Sequence, residues 1–370
     1  MTVENNVLTP VLQAPENVIS FSLPEWDLLI CQARQTGLLA RLYFILQAGD
    51  LIEACPEQPL AHLKSAWVVA EKHAAQVHWE MSRIGRALSL IDHPVLVLKG
   101  AAYLLTGLPP AHGRLFTDID IMLPKARLKE AERLLFGHGW MTTHHDVYDQ
   151  RYYRQWMHEI PPLRHMTRQT VLDVHHTILP LTARLKPDPA KLWEAAVEIE
   201  GQSNFKVLAP VDMVLHSATH LFHDGGLEQG LRDLVDLDAL MRHFGARPGF
   251  WSQLVYRATE LELTRPLFYA LHYASSILDT PVPGTILSEP GVGRPGALIG
   301  SLMDRLFRRA LAPDHPSCTD RLTGIAQWLL YVRSHYLRMP LYLLIPHLVR
   351  KSFKKHRTDS PHAMPLAANK

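Results

Sequence analysis

A chain of 370 residues is too long for one small domain and suits two or three. Its 47% hydrophobic and 20% charged residues are the balance of a soluble globular protein, and a formal charge of +2 argues against bulk electrostatic binding to nucleic acid. Cys31, Cys55 and Cys318 lie far apart with no CxxC pair, which excludes a disulfide framework or cysteine-rich zinc site and fits a reducing compartment.

Residues 1–20 are polar and lack the apolar run of a signal peptide, so they read as a loose leader. No apolar run reaches the ~18 residues of a membrane span. The best stretch, Met339 to Val349, is short and holds Pro340 and Pro346. A cytoplasmic protein with no stable membrane insertion is expected. From Pro24 to about Leu90 apolar residues recur at three and four spacings, as in WDLLICQARQTGLLARLYFILQ and, after Pro56 and Pro59, LAHLKSAWVVAEKHAAQVHWEMSRIGRAL. That period predicts a helical region over 1–91.

The texture changes at Asp92. PVLVLKG (94–100) reads as a short buried strand ending in glycine, and AAYLLTG as a short helix stopping at Gly107. TDIDIMLP (117–124) alternates polar and apolar residues, KARLKEAERLLFGHG (125–139) is an amphipathic helix, and strands follow around His158–Met166 and Thr170–Ile178. This order predicts a small α+β core over 92–208. After Pro210 the helical pattern returns over 209–350: two helices broken at Gly225-Gly226, then helices through 251–280, 297–311 and 322–350, with a Pro/Gly-rich link at 281–295. The tail 351–370 continues the basic RKSFKKHR (350–357) and is expected to be disordered.

In Thr117-Asp118-Ile119-Asp120-Ile121, strand geometry puts Asp118 and Asp120 on one face and the isoleucines on the other. Two such carboxylates repel and are costly to desolvate, so a divalent cation is their natural partner, and Asn at both positions would relieve the repulsion. The strand Val171-Leu172-Asp173-Val174-His175 offers a third acid with His175 on the same side. Side by side, these strands would bring together acids enough for two metals, one clamping a triphosphate and one activating an acceptor hydroxyl. Leu98-Lys99-Gly100-Ala101 runs a strand into a helix through glycine, where the backbone can approach phosphate, and Lys99 and Arg114 are cations within reach.

The ordered series V-L-K-G-A, R-L-F-T-D-I-D-I-M-L and V-L-D-V-H-H resembles the uncharacterised nucleotidyltransferase group of the DNA polymerase β-like superfamily, over roughly residues 92–240. P-V-D-M-V-L-H-S-A-T-H followed by L-R-D-L-V-D-L looks like that group's helical region. The resemblance implies a polymerase β-like core, a small mixed sheet with helices, flanked by the helical regions. It implies that Asp118, Asp120 and Asp173 are the catalytic metal-binding acids and that Gly100 belongs to the phosphate turn. Mg²⁺ or Mn²⁺ would be the cofactor and a nucleoside triphosphate such as ATP the substrate. A nucleoside monophosphate would pass to a hydroxyl with release of pyrophosphate, the acceptor being protein, small molecule or RNA. The superfamily's turn is Gly-Gly or Gly-Ser; here it is Lys99-Gly100-Ala101, so Lys99 or backbone amides would hold the phosphates.

Two other readings use the same residues. A catalytically inactive nucleotide-binding protein could be built on this core. A metal-dependent phosphohydrolase could use His216, His220, His223 and Asp224, the histidines sharing a helical face at i, i+4 and i+7. The blander account is a polar face lying against the cleft, with His175 and His220 as substrate contacts. Asp233 and Asp236 read as helix-surface acids, with ion pairs to Arg232 or Arg114 as the alternative. His144-His145 reads as a solvated loop. Arg333, Arg338, Arg350 and Lys351 read as a solvated amphipathic face ahead of a contact with RNA or acidic lipid.

Overall fold

The computed structural model describes residues 5–143, 146–225 and 227–344. Four helices lead: α1 (Leu8–Gln13), α2 (Leu23–Gln35), α3 (Leu39–Ala48) and α4 (Glu57–Ala87). Ser22 and Glu25 form a capping box at the start of α2. The stretch read as a loose leader is ordered instead: Leu8, Val11 and Val18 are fully buried. Its polar composition hides three apolar anchors, and Gln32 of α2 accepts from the backbone N–H groups of Val7 and Leu8.

The mixed section runs β1 (Val95–Val97), α5 (Lys99–Leu105), β2 (Asp118–Met122), α6 (Leu128–Gly137), β3 (Trp140–Thr142), α7 (Val147–Trp156), β4 (Leu163–His165), β5 (Val171–His175), α8 (Pro189–Glu194), β6 (Val197–Ile199) and β7 (Gln202–Val207). One seven-stranded sheet results, in the order β3-β4-β5-β2-β1-β7-β6. β2 is parallel to β5 and antiparallel to β1, which is parallel to β7. The expected strand around His158–Met166 shrinks to three residues, because Pro161 and Pro162 have no N–H to give a ladder. Only an isolated bridge between Glu159 and His175 precedes it.

The chain then becomes helical: α9 (Pro210–Thr219), a π-turn over His220–Asp224, α10 (Gly230–Gly245), α11 (Phe250–Glu260), α12 (Thr264–Leu278), α13 (Gly284–Leu287), α14 (Ala297–Ala310) and α15 (Thr323–Arg338). The single helix expected over 322–350 stops at Arg338, one residue before Met339-Pro340, because the residue preceding proline is driven out of helical φ/ψ. His144-His145, Gly226 and the tail from 345 lie outside the described residues.

The chain is α+β, a mixed sheet among helices. One continuous buried cluster extends from Leu8 through the sheet to Leu330. Ile119 and Ile121 of β2 stand in register with Leu172 and Val174 of β5, all buried on the apolar side of the sheet. The turn into β5 is tied to the lead-in helices: buried Glu80 of α4 accepts from Arg168 Nε at 2.7 Å and from Thr170 Oγ1 at 2.8 Å.

Candidate functional site

The parallel register aligns Asp120 with Asp173 and Asp118 with Val171. Aligned residues of a parallel pair project from the same face, so Asp118, Asp120 and Asp173 share the side opposite Ile119 and Leu172. Asp118 is exposed at the strand's start and accepts from Thr117 Oγ1 at 3.0 Å. Asp120 is buried, and its Oδ1 receives Lys99 Nζ at 3.0 Å and His175 Nε2 at 3.0 Å. An ionised carboxylate only accepts, so His175 donates from Nε2. Burial opposes ionisation of Asp120, but Lys99 and then His175 outweigh it and hold the carboxyl well below the usual range.

Asp173 has no such bond, and the Lys99 charge that favours its ionised form is outweighed. Its Oδ1 is buried without a hydrogen-bond partner. Burial first, then the charges of Asp120 and Asp118, push its carboxyl up to about 7. Two aligned acids thus have opposite electrostatic standing.

Lys99, which opens α5, has φ +47°, a left-handed conformation costly for a side-chain-bearing residue. Burial works against its charge, but Asp120 wins and raises its pKa. Gly100 needs its missing side chain for space rather than for φ: an added Cβ would stand 2.9 Å from Arg114 Nε and 3.3 Å from the Phe116 ring. Lys99, Gly100, Arg114, Asp118, Asp120 and His220 all line one cleft. Ala101 is buried and offers that cleft no side chain. Arg114 is paired with Asp236, which Arg41 of α3 also approaches at 3.4 Å. Asp236 is therefore a buried ion-pair partner and not a helix-surface acid; the face of α10 that looked solvated packs on the loop carrying Pro109 and Pro110. Asp233 pairs with Arg232 at 2.9 Å.

The histidines divide. His175 is buried behind Asp120 and does not line the cleft. His158 and Glu159 meet it from the chain before β4, each of the three bringing one ligand atom within 4.8 Å of the others. Burial, then Asp173, raises the Glu159 carboxyl well above its usual range. Burial, then His175, holds His158 well below its own. His216 and His223 are buried, and only His220 reaches the cleft, 4.0 Å from Asp233. The π-turn starting at His220 breaks the i, i+4, i+7 face on which the phosphohydrolase reading rests. His223 Nδ1 lies 3.9 Å from Asp224 Oδ1, too far for a hydrogen bond. Among the described residues no metal-ligand set forms on that helix.

Glu159 is the site residue that sequence reasoning missed. It sits before two prolines, outside any alternating pattern, and only its bridge to His175 brings it to Asp120 and Asp173.

No curated protein and no solved structure matches the chain. A family model does match, over residues 22–279, from the start of α2 to just past the end of α12. That span holds the whole sheet, the acids and the His220 turn, and by it the chain belongs to the uncharacterised nucleotidyltransferase family.

Proposed function

We propose that the chain carries a polymerase β-like core and transfers a nucleoside monophosphate from a nucleoside triphosphate, ATP among them, to a hydroxyl acceptor with release of pyrophosphate. The observation that carries this reading is the register of Asp120 against Asp173, with Asp118 beside them at the cleft and the Lys99-Gly100 turn alongside.

The acids suit a hard divalent cation by ligand type. Among the described residues only His158, Glu159 and His175 bring three ligand atoms within 4.8 Å of one another, so Asp118, Asp120 and Asp173 would have to draw together around the ion. Asp173 Oδ1 is buried and unpartnered, and its charge is opposed by two neighbouring carboxylates. Such an oxygen set suits Mg²⁺ or Mn²⁺, with Asp118 and Asp120 as the pair and Asp173 as the third ligand. When bound, these ions supply charge neutralisation at the phosphates and a lowered pKa at the acceptor hydroxyl. The chain's own groups do the rest. Lys99 neutralises Asp120 in the free protein and, on the cleft wall, is the cation for the β- and γ-phosphates. His175 fixes the Asp120 carboxylate through Nε2. Asp173, as a ligand of the ion nearest the acceptor, would take the acceptor's proton through a carboxylate oxygen not bound to metal. Glu159 stands behind it as a further acid. The lead-in helices α1–α4 and the helices from α9 onward would wall the core and select the acceptor.

Incubation with labelled nucleoside triphosphates and Mg²⁺ or Mn²⁺ tests the assignment. Pyrophosphate and a nucleotidylated acceptor are expected. Release of inorganic phosphate would reject transfer in favour of hydrolysis, and binding without turnover would make the chain a nucleotide-binding protein.

A further inference from the structure

Behind Asp120, outside the cleft lining, the segment before β4 is fastened to the end of β5. The His176 N–H donates to the His158 carbonyl at 2.8 Å, and the Ile160 N–H to the Val174 carbonyl at 3.0 Å. These two bonds hold His158 and Glu159 beside His175 from both sides, and Pro161-Pro162 stiffens the chain as it leaves. The three side chains each bring one ligand atom within 4.8 Å of the others, and the His158 and His175 ring centroids are 5.1 Å apart.

The local hydrogen bonds leave these groups unfinished. His175 is only 2% exposed, and its Nδ1 has no hydrogen-bond partner; the buried Nδ1 of His158 has none either. Because His175 gives its Nε2–H to Asp120, the lone pair of that imidazole stays on Nδ1. Glu159 Oε2 is 3.6 Å from His175 Nε2, too far for a hydrogen bond to answer it. Two orphaned imidazole nitrogens beside a carboxylate call for a partner, since buried polar atoms are nearly always satisfied.

We propose that His158, Glu159 and His175 bind a borderline divalent metal ion, Zn²⁺ or a neighbour such as Co²⁺. Two imidazoles and one carboxylate are a zinc-type set that leaves one position open to water, whereas Mg²⁺ prefers oxygen alone. Bonds of ~2.1 Å set ligand atoms roughly 3.4 Å apart around a tetrahedral ion, so side chains already within 4.8 Å have little distance to close. A ligating histidine commonly gives its other N–H to a carboxylate, and Asp120 accepts such a bond from His175. The ion fixes the His175 ring and, through it, the Asp120 carboxylate at the cleft. This site is separate from the Mg²⁺ or Mn²⁺ assigned to Asp118, Asp120 and Asp173, and it does not depend on nucleotidyl transfer.

Titration of the tag-free, chelator-treated full chain with Co²⁺ tests this. One equivalent should bind with a visible d–d band, be displaced by Zn²⁺ and resist millimolar Mg²⁺. His158→Gln and Glu159→Gln should each weaken binding at least about tenfold, whereas Asp118→Asn, in the cleft, should leave it unchanged. X-ray absorption at the zinc edge of the loaded, unmodified chain should show two imidazoles with oxygen donors, a result that needs no variant to fold. Failure to take up one equivalent, displacement by Mg²⁺, a sulfur-ligated or imidazole-free ion, or binding unmoved by both substitutions overturns the proposal. Loss of the band in Asp118→Asn also overturns it, by moving the ion to the cleft acids. None of these outcomes turns on whether the chain transfers nucleotides, so the two assignments fail separately.

Discussion

Lys99 Nζ lies 3.0 Å from the Oδ1 of Asp120, while the acid aligned with Asp120 on the next strand, Asp173, has a buried Oδ1 that nothing in the protein satisfies. The two carboxylates should therefore respond oppositely to neutralisation. Asp120→Asn leaves the largely buried Lys99 ammonium without its counter-charge and should cost about 2–4 kcal/mol, measured by denaturant unfolding of the metal-free protein. The relief of repulsion expected from the sequence for Asn at 118 and 120 is thus outweighed at 120 by the loss of a cation and an imidazole donor. An unchanged or raised midpoint in Asp120→Asn would contradict the ion pair's role.

Asp173→Asn should do the reverse, with a definite pH signature in chelator. The Asp173 carboxyl titrates near 7 in the fold and near ~3.9 when unfolded. Between those values the folded chain holds more protons, so this group's contribution to stability falls as pH rises through the window. Asn cannot ionise and removes that decline. The variant's advantage should be near zero at the acid end and grow by roughly 2–4 kcal/mol by neutral pH. A difference independent of pH would show that burial and the neighbouring acids do not act on Asp173 as described.

Asp118 separates binding from folding, because it is exposed and its described bond is to the adjacent Thr117. Mg²⁺ and a nucleoside triphosphate together should raise the thermal midpoint of the parent protein more than either alone. Asp118→Asn should lose most of that joint increment while its ligand-free midpoint stays within about 1 kcal/mol of the parent in stability. A full joint shift in the variant would move the metal–nucleotide site elsewhere.

Gly100→Ala tests the turn. The added methyl meets Arg114 Nε at 2.9 Å and the Phe116 ring at 3.3 Å. Arg114 must then shift on its Asp236 partner, at a cost of about 1–3 kcal/mol. Nucleotide binding should fall with it, because Gly100 and Arg114 line the same cleft. Alanine tolerated without loss of stability or binding would argue that the close approach is not needed.

The acids of β2 and β5 were legible because alternation in a strand assigns faces from the sequence alone, and the expectation that His175 shares the side of Asp173 agrees with its bond to Asp120. What strands could not reveal was pairing at a distance. Asp236 reads first as a surface acid within LRDLVDLDALM, and the alternative pairing to Arg114 is the one that forms; that Arg41 of α3 joins it is what the sequence does not reveal. Glu159 belongs to no periodic element. The leader's Leu8, Val11 and Val18 are too sparse to register as a helix, yet each finds a fully buried place. Burial of single side chains against remote segments is a tertiary property, and composition carries little of it.

The parallel pairing of β2 with β5 also sets which lengths of chain the protein can tolerate. Side chains alternate with a period of two, so one residue inserted between Met166 and Thr170 would slip β5 and turn Asp173 to the side now held by Leu172. That turn holds Gln169 at φ +62° and is fastened to Glu80 through Arg168 and Thr170, which leaves no slack to absorb the extra residue. The hairpin at Gly201, between β6 and β7 at the far edge of the sheet, bears no acid of the cleft, and lengthening it moves none of them. Insertions should be silent at one end of the sheet and fatal to the acid cluster at the other.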